Sequence, residues 1–319
     1  MWIGSGSNAS PICFTKNKSS IMSKPSAKQH TAKYDEHTIE TPATLMEFLT
    51  STYEGRSRTT VKSYLTHGQV TVGGVVKTKF DTPLTAGDIV RVTFGHVEKP
   101  FTHKMLRIVY EDDDLIVIDK RNGLLSMASE CERVKTAYYI LSEYLKSRDR
   151  SARIFIVHRL DRETSGLMLF AKSMEVQHAF QNNWKGMILE RKYVAVVSPP
   201  FKETHGVIRS YLAQNKAYTV YSTRDSEEGE LAVTRFKVLK SNDRYSLVEC
   251  ELDTGKKNQI RVHMRDKGSP IIGDKRYGGI ASPIGRVALH ARRIKFIHPA
   301  TGETLTFDTG VPGVFEGLF

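Results

Sequence analysis

The sequence predicts an α+β protein: one large unit built on a mixed, mainly antiparallel sheet, preceded by a small α/β module. Three observations carry this. Short β-branched and apolar runs outnumber helical patterns, and no strand–helix–strand period repeats along the 319 residues. The pattern also breaks at Gly95 to Lys104, around Pro100, which reads as a linker. The chain therefore divides into a tail (1–40), a small module (41–99) and a main domain (100–319).

From Met1 to Tyr34 there is no Asp or Glu, and lysines alternate with Ser, Asn and Gly, so the tail is expected to be basic and disordered. It lacks the arginines of a transit peptide and the apolar core of a secretory signal. In the module, Leu45, Phe48 and Leu49 recur at helical spacing after Thr41-Pro42. A second short helix carries Val61 and Leu65 and ends at Gly68. Gln69 to Val72, Gly73-Gly74 and Val75 to Lys77 then form a hairpin, because adjacent glycines accept the positive φ of a tight turn. A turn from Leu84 to Asp88 leads into the strand Ile89 to Val92.

In the main domain, Arg107 to Tyr110 and Leu115 to Asp119 read as strands around an acidic turn, Glu111 to Asp114. A helix follows over Ala137 to Leu145, then a strand over Ile154 to Val157. Strand Leu167 to Phe170 follows a polar loop, and Ser173 caps a helix that should end near Gly186. Further strands cover Tyr193 to Val197, Val233 to Leu239 and Tyr245 to Leu252. Gln259 to Met264 reads as a helix, with Ile260 and Met264 one turn apart and Arg261 on a different face.

Charge narrows the function. A net charge of +12 favours a polyanionic partner, since each cation meeting a phosphate releases condensed counterions. No segment approaches the roughly 20 apolar residues of a membrane span, so no membrane partner is expected. Cys13, Cys131 and Cys250 are too few and too scattered for a disulfide framework, which points to the reducing cytoplasm. His158, His263 and His290 stand in separate elements without ligand spacing, so neither metal nor other cofactor is expected. No phosphate-binding glycine loop or dinucleotide fingerprint is present, which disfavours kinases and nucleotide-cofactor methyltransferases.

The loop His158-Arg159-Leu160-Asp161-Arg162-Glu163-Thr164-Ser165-Gly166 places an acid between two arginines and between two apolar strands. With Asp119-Lys120, Gly123-Leu124-Leu125, Glu190 to Tyr193, Thr254-Gly255, Gln259 to His263, Gly273-Asp274 and Leu289 to Ala291, it resembles the RluA-type pseudouridine synthases. The resemblance covers about the last 210 residues and implies the fold of that family for residues 100–319. It also implies isomerisation of selected uridines, with Asp161 as the catalytic carboxylate and Tyr193 stacked on the uracil. Arg261 is then the cation that keeps Asp161 ionised, its planar fork suited to two bonds with a carboxylate. Arg159 would occupy the space left by an extruded nucleotide, because a stacked uridine hides the bonds being changed.

Residues 41–99 in turn resemble the RNA-binding module of a small-subunit ribosomal protein, with Arg56, Arg58 and Lys62 on one face. Two departures from the enzyme family stand out. Lys256-Lys257-Asn258 replaces the family's Arg, Ser or Thr, and His, which keeps the charge for the RNA backbone but loses a ring. Arg121-Asn122 replaces Pro-Ala, so that loop is expected to have its own shape. The implied partner is structured RNA, with large-subunit ribosomal RNA preferred over transfer RNA on grounds of shape recognition, and no protein partner is implied. A non-catalytic RNA-binding or ribosome-assembly factor is the competing class.

Overall fold

A computed structural model describes residues 33–94 and 101–319. The expected disorder of the tail lies almost wholly outside the described residues, as does most of the linker.

The first unit contains β1 (Tyr34–Thr38), β2 (Ala43–Thr44), α1 (Leu45–Thr52), α2 (Arg58–Thr66), β3 (Val70–Val72), β4 (Val75–Val76), β5 (Pro83–Leu84) and β6 (Ile89–Thr93). A four-stranded sheet runs β1-β6-β3-β4, and β2 pairs with β5. Thr44, rather than the Thr41-Pro42 step, starts α1: its hydroxyl accepts from Glu47 N while Glu47 bonds back to Thr44 N. Leu45 and Leu49 of α1 meet Val61 and Leu65 of α2 and Val90 and Val92 of β6 in one core. Gly73 and Gly74 have φ of 56° and 79°, as the hairpin turn requires.

One boundary moves. Tyr34–Thr38 pairs with β6 along its whole length, from Tyr34 opposite Thr93 to Thr38 opposite Ile89, so the folded unit begins ahead of Thr41. This strand carries no apolar alternation, because it is an edge held by backbone bonds, the Arg91–Glu36 ion pair (2.6 Å) and Arg91 over the Tyr34 ring.

The second unit begins with β7 (Leu106–Glu111), β8 (Leu115–Lys120), α3 (Ala137–Arg148), β9 (Phe155–Ile156), β10 (Ser165–Ala171), α4 (Met174–Asn182) and α5 (Trp184–Met187). It continues with β11 (Ile188–Val197), β12 (His205–Gln214), β13 (Val220–Thr223), β14 (Glu230–Ser241), β15 (Ser246–Leu252), α6 (Gln259–Asp266), β16 (Leu289–Ile297), β17 (Thr304–Asp308) and α7 (Gly313–Glu316). An 11-stranded sheet runs β13-β12-β14-β15-β11-β16-β10-β8-β7, with β17 on β16 and β9 on β10. The β10–β16 contact is parallel and the other pairings are antiparallel, so the fold is the mixed, mainly antiparallel α+β architecture expected.

The sheet is covered on both faces at β8 and β10, next to its β7 edge. Ile116, Ile118, Met168 and Phe170 pack with Ala137, Leu141 and Leu145 of α3. Their alternates Leu115, Val117, Leu167 and Leu169 pack with Val176 and Phe180 of α4. Burial on both faces explains why these strands are continuous apolar runs. In the acidic turn, Asp112 accepts from Asp114 N, Leu115 N and Tyr110 Oη, the work of a turn residue. The helix capped by Ser173 stops at Asn182, earlier than expected, and Gly186 lies inside the separate turn α5.

Candidate active site

The loop between β9 and β10 is fastened to the segment after β8. Leu160 N donates to Ser126 Oγ (3.0 Å), and that hydroxyl donates to Leu160 O (2.7 Å). Gly123 N donates to Arg162 O (2.8 Å), and Asn122 Nδ2 donates to Glu163 O. Asn122, one of the two departures from the Pro-Ala pair, thus adds a clamp on the loop. Lys120, fully buried, donates from Nζ to Leu124 O at 2.8 Å. Thr164 N donates to Asp161 O (3.1 Å), which turns the chain tightly at Asp161.

A cavity of about 440 Å³ opens over this loop, lined by Asp161, Tyr193, Arg261, Arg159, Lys256 and Lys257. All six residues singled out from the main domain's sequence therefore share one site. His158, Thr164, Trp184, Arg191 and Asn258 also line it. Tyr193 comes from the middle of β11 and Arg261 from the first turn of α6. The Asp161 side chain is 23% exposed, whereas that of Arg261 is 6% exposed. Arg159 is exposed at the site's edge. Arg56, Arg58 and Lys62 belong to the first unit, are exposed, and do not line the cavity.

The pairing of Arg261 differs from expectation. Its two strong bonds go to Asp274, from Nε to Oδ2 at 2.7 Å and from Nη2 to Oδ1 at 2.8 Å. Nη1 is left facing Asn258 Oδ1 (3.2 Å), Glu163 Oε2 (3.3 Å) and Asp161 Oδ2 (3.9 Å). The planar fork is thus saturated by a fully buried carboxylate, and only its remaining arm reaches the cavity. The Tyr277 ring underlies the guanidinium at 5.1 Å. Asp274, Lys120, Glu163 and Asn258 are the site residues to which sequence reasoning gave no chemistry; Gly273-Asp274 and Asp119-Lys120 were visible only as blocks of the resemblance.

Burial raises the Asp161 carboxyl above its ordinary range, while Arg261, Arg159 and Lys120 act to keep it ionised and Glu163 opposes them. Burial also pushes the Lys120 ammonium down to about 7. The Tyr193 hydroxyl is raised by burial, so its proton is firmly held. The three histidines serve separate structural bonds. His158 Nε2 accepts from Leu169 N, His263 meets Thr234 and Ser210, and His290 meets Ser165 and Thr309.

At the cationic side, Lys256 pairs with Glu230, and Lys257 is exposed with its Nζ 6.0 Å from the Tyr218 ring. Asn258 stands where a histidine was expected. It takes a left-handed conformation (φ 54°) and bridges Arg261 to the Tyr277 hydroxyl, to which Nδ2 donates at 3.0 Å.

The site joins a partly buried carboxylate to a fixed guanidinium in a cleft edged by lysines, a charge pattern suited to a polyanionic ligand. Residues 114–266 match the family described as RNA pseudouridylate synthase. The chain is 34% identical over 278 residues to the uncharacterized RNA pseudouridine synthase YlyB of Bacillus subtilis, covering 83% of this chain and 89% of that one. It is 32% identical over 273 residues to ribosomal large subunit pseudouridine synthase D of Vibrio cholerae, covering 80% and 84% respectively. Human RNA pseudouridylate synthase domain containing 4 superposes with a TM-score of 0.54 at 26% identity, over 66% of this chain and 90% of that one. The chain belongs to the RNA pseudouridylate synthase family and is an RNA pseudouridine synthase, an isomerase of uridine in RNA.

Proposed function

We propose that Asp161 is the catalytic carboxylate of this synthase and that large-subunit ribosomal RNA in the cytoplasm is its substrate. The placement of Asp161 Oδ2 at 3.9 Å from Arg261 Nη1, in a cavity shared with Tyr193, carries the catalytic assignment. In the reaction the bond from ribose C1′ to uracil N1 breaks, the ring turns, and C1′ bonds to C5. The C5 proton leaves and N1 gains one, so the product is an isomer. Asp161 serves the reaction at the sugar, Arg261 keeps it anionic, and Tyr193 stacks on the turning ring.

The target nucleotide enters the cavity flipped out of its stack, and Arg159, exposed at the site's edge, fills the space it leaves. Lys256 and Lys257 hold the backbone, and the first unit adds Arg56, Arg58 and Lys62 as a second RNA contact. The ribosomal substrate is supported by the name of the Vibrio cholerae relative and by the need of a shape-reading module for large folded RNA. The assignment is tested by tritium release from RNA labelled at uracil C5. Wild type releases tritium and Asp161→Asn does not; equal release by both rules out the assigned role. Mapping pseudouridine in ribosomal RNA from cells with and without the gene tests the substrate.

A further inference from the structure

Among the described residues, two that are not glycine have left-handed backbone φ: Asn258 at 54° and Tyr218 at 57°. Both are tied to one dipeptide. Asn258 Nδ2 donates to the Tyr277 hydroxyl, and Arg276 Nη1 donates to Tyr218 O at 3.4 Å. The same Tyr277 hydroxyl accepts from Val220 N, the first residue of β13. Asn258 has a visible task in the cavity, whereas Tyr218 has none yet assigned.

Tyr218 sits at the tip of the β12–β13 hairpin. The tip is closed without its ring, because Asn215 Oδ1 accepts from Ala217 N (3.0 Å) and Thr219 N (2.9 Å). A left-handed turn position favours glycine or asparagine, and a tyrosine there carries a steric cost that neither of those has. The residue is also 72% exposed, more than any other exposed large hydrophobic residue described. Neither turn formation nor packing accounts for it. What stands beside it is Lys257, which lines the cavity and sits 6.0 Å from the ring.

We infer that Tyr218 is a stacking platform for a nucleobase adjacent to the flipped uridine, with Lys257 taking the phosphate that joins the two nucleotides. The inference rests on the assignment of the cleft to RNA. An exposed aromatic face beside a cation is how proteins hold an unstacked base without reading its sequence. The backbone held by Arg276 and Asn215 fixes the point from which the ring projects before RNA arrives, which lowers the ordering cost of binding.

The test measures filter binding of the full-length protein to an in vitro transcript of large-subunit ribosomal RNA across salt concentrations. Tyr218→Gly is expected to raise Kd about tenfold and leave the salt slope unchanged, while Tyr218→Phe stays near wild type. Lys257→Ala should lower the slope by about one. Thermal melting of Tyr218→Gly at or above the wild-type midpoint shows that the loss is not unfolding, since glycine relieves the strained φ. Equal Kd for Tyr218→Gly and wild type, including equally weak binding by both, overturns the inference. Because binding is read without turnover, failure of Asp161→Asn to abolish tritium release would undo the catalytic assignment while leaving this comparison intact.

Discussion

Asp274 makes the sharpest test of how the site is held together. Asp274→Asn preserves shape but replaces one oxygen facing the guanidinium with an amide donor, so one of the two Arg261 bonds becomes a donor–donor contact. Arg261 is 6% exposed and cannot recover the loss in water. Breaking one partner of a buried pair costs about 3–5 kcal/mol because a charge remains uncompensated. For a unit the size of residues 101–319, that corresponds to a fall in Tm of roughly 6–20 °C.

The same substitution frees the guanidinium to swing, and its Nη1 arm then no longer faces Asp161. Misplacement by about 1 Å is enough for a loss of ~10²-fold in rate. Tritium release, measured well below both melting transitions, should fall by about that factor. Adding Arg261→Met removes the stranded charge, so the double variant should recover part of the lost Tm but none of the activity. An Asp274→Asn protein with wild-type Tm and wild-type release would refute the claim that this pair positions the site.

Three other outcomes follow from the same geometry. Asp161→Asn should raise Tm at neutral pH: a carboxyl raised in the fold loses stability as pH climbs through its folded pKa, so the gap over wild type should widen with pH and vanish below about 4. Lys120, depressed to about 7, loses its charge and its support of Asp161 as pH rises through 7. Wild-type kcat should therefore decline above that pH and Lys120→Met should lack the decline; wild-type stability should also climb between about 7 and 10.5, which the variant's should not. Gly166→Ala should destabilise by about 2 kcal/mol or more in denaturant titrations and lower activity, because φ is +113° and a Cβ would lie 2.2 Å from Ala291 O.

The parts of the fold legible in the sequence were those with local signals. Leu167 to Phe170 announces a doubly buried strand, and Gly73-Gly74 a hairpin, because the cause lies within a few residues. In the main domain the strands β12, β13, β16 and β17 went unread. Arg292, Arg293 and Lys295 interrupt β16, and β12 alternates exposed residues such as Val207 and Arg209 with partly buried ones. The acid, the tyrosine and the arginine of the site were found through the resemblance. The two-bond partner of that arginine was not, because Asp274 lies 13 residues beyond Arg261 on a loop, where no spacing rule connects them. Asn258 was readable as a lost ring, but its left-handed backbone and its bridge to Tyr277 exist only in three dimensions.

The loop of residues 158–166 is conspicuous in sequence, yet most of it works on placement rather than chemistry. His158 accepts a bond from β10, Leu160 is locked to Ser126, and Thr164 closes the turn on Asp161. Ser165 Oγ accepts from Arg286 Nη2 at 2.6 Å and meets His290 Nδ1 at 2.8 Å, which ties the loop's end to β16. Gly166 then lets β10 approach β16 at the sheet's parallel junction, which lasts only two residue pairs, Ser165 with His290 and Gly166 with Ala291. That junction joins the half of the sheet carrying Asp161 to the half carrying Tyr193 and leading to Arg261. The distance between carboxylate and guanidinium is therefore set by how closely two backbones can approach at one glycine, and a larger residue there would move the acid away from its cation before touching either.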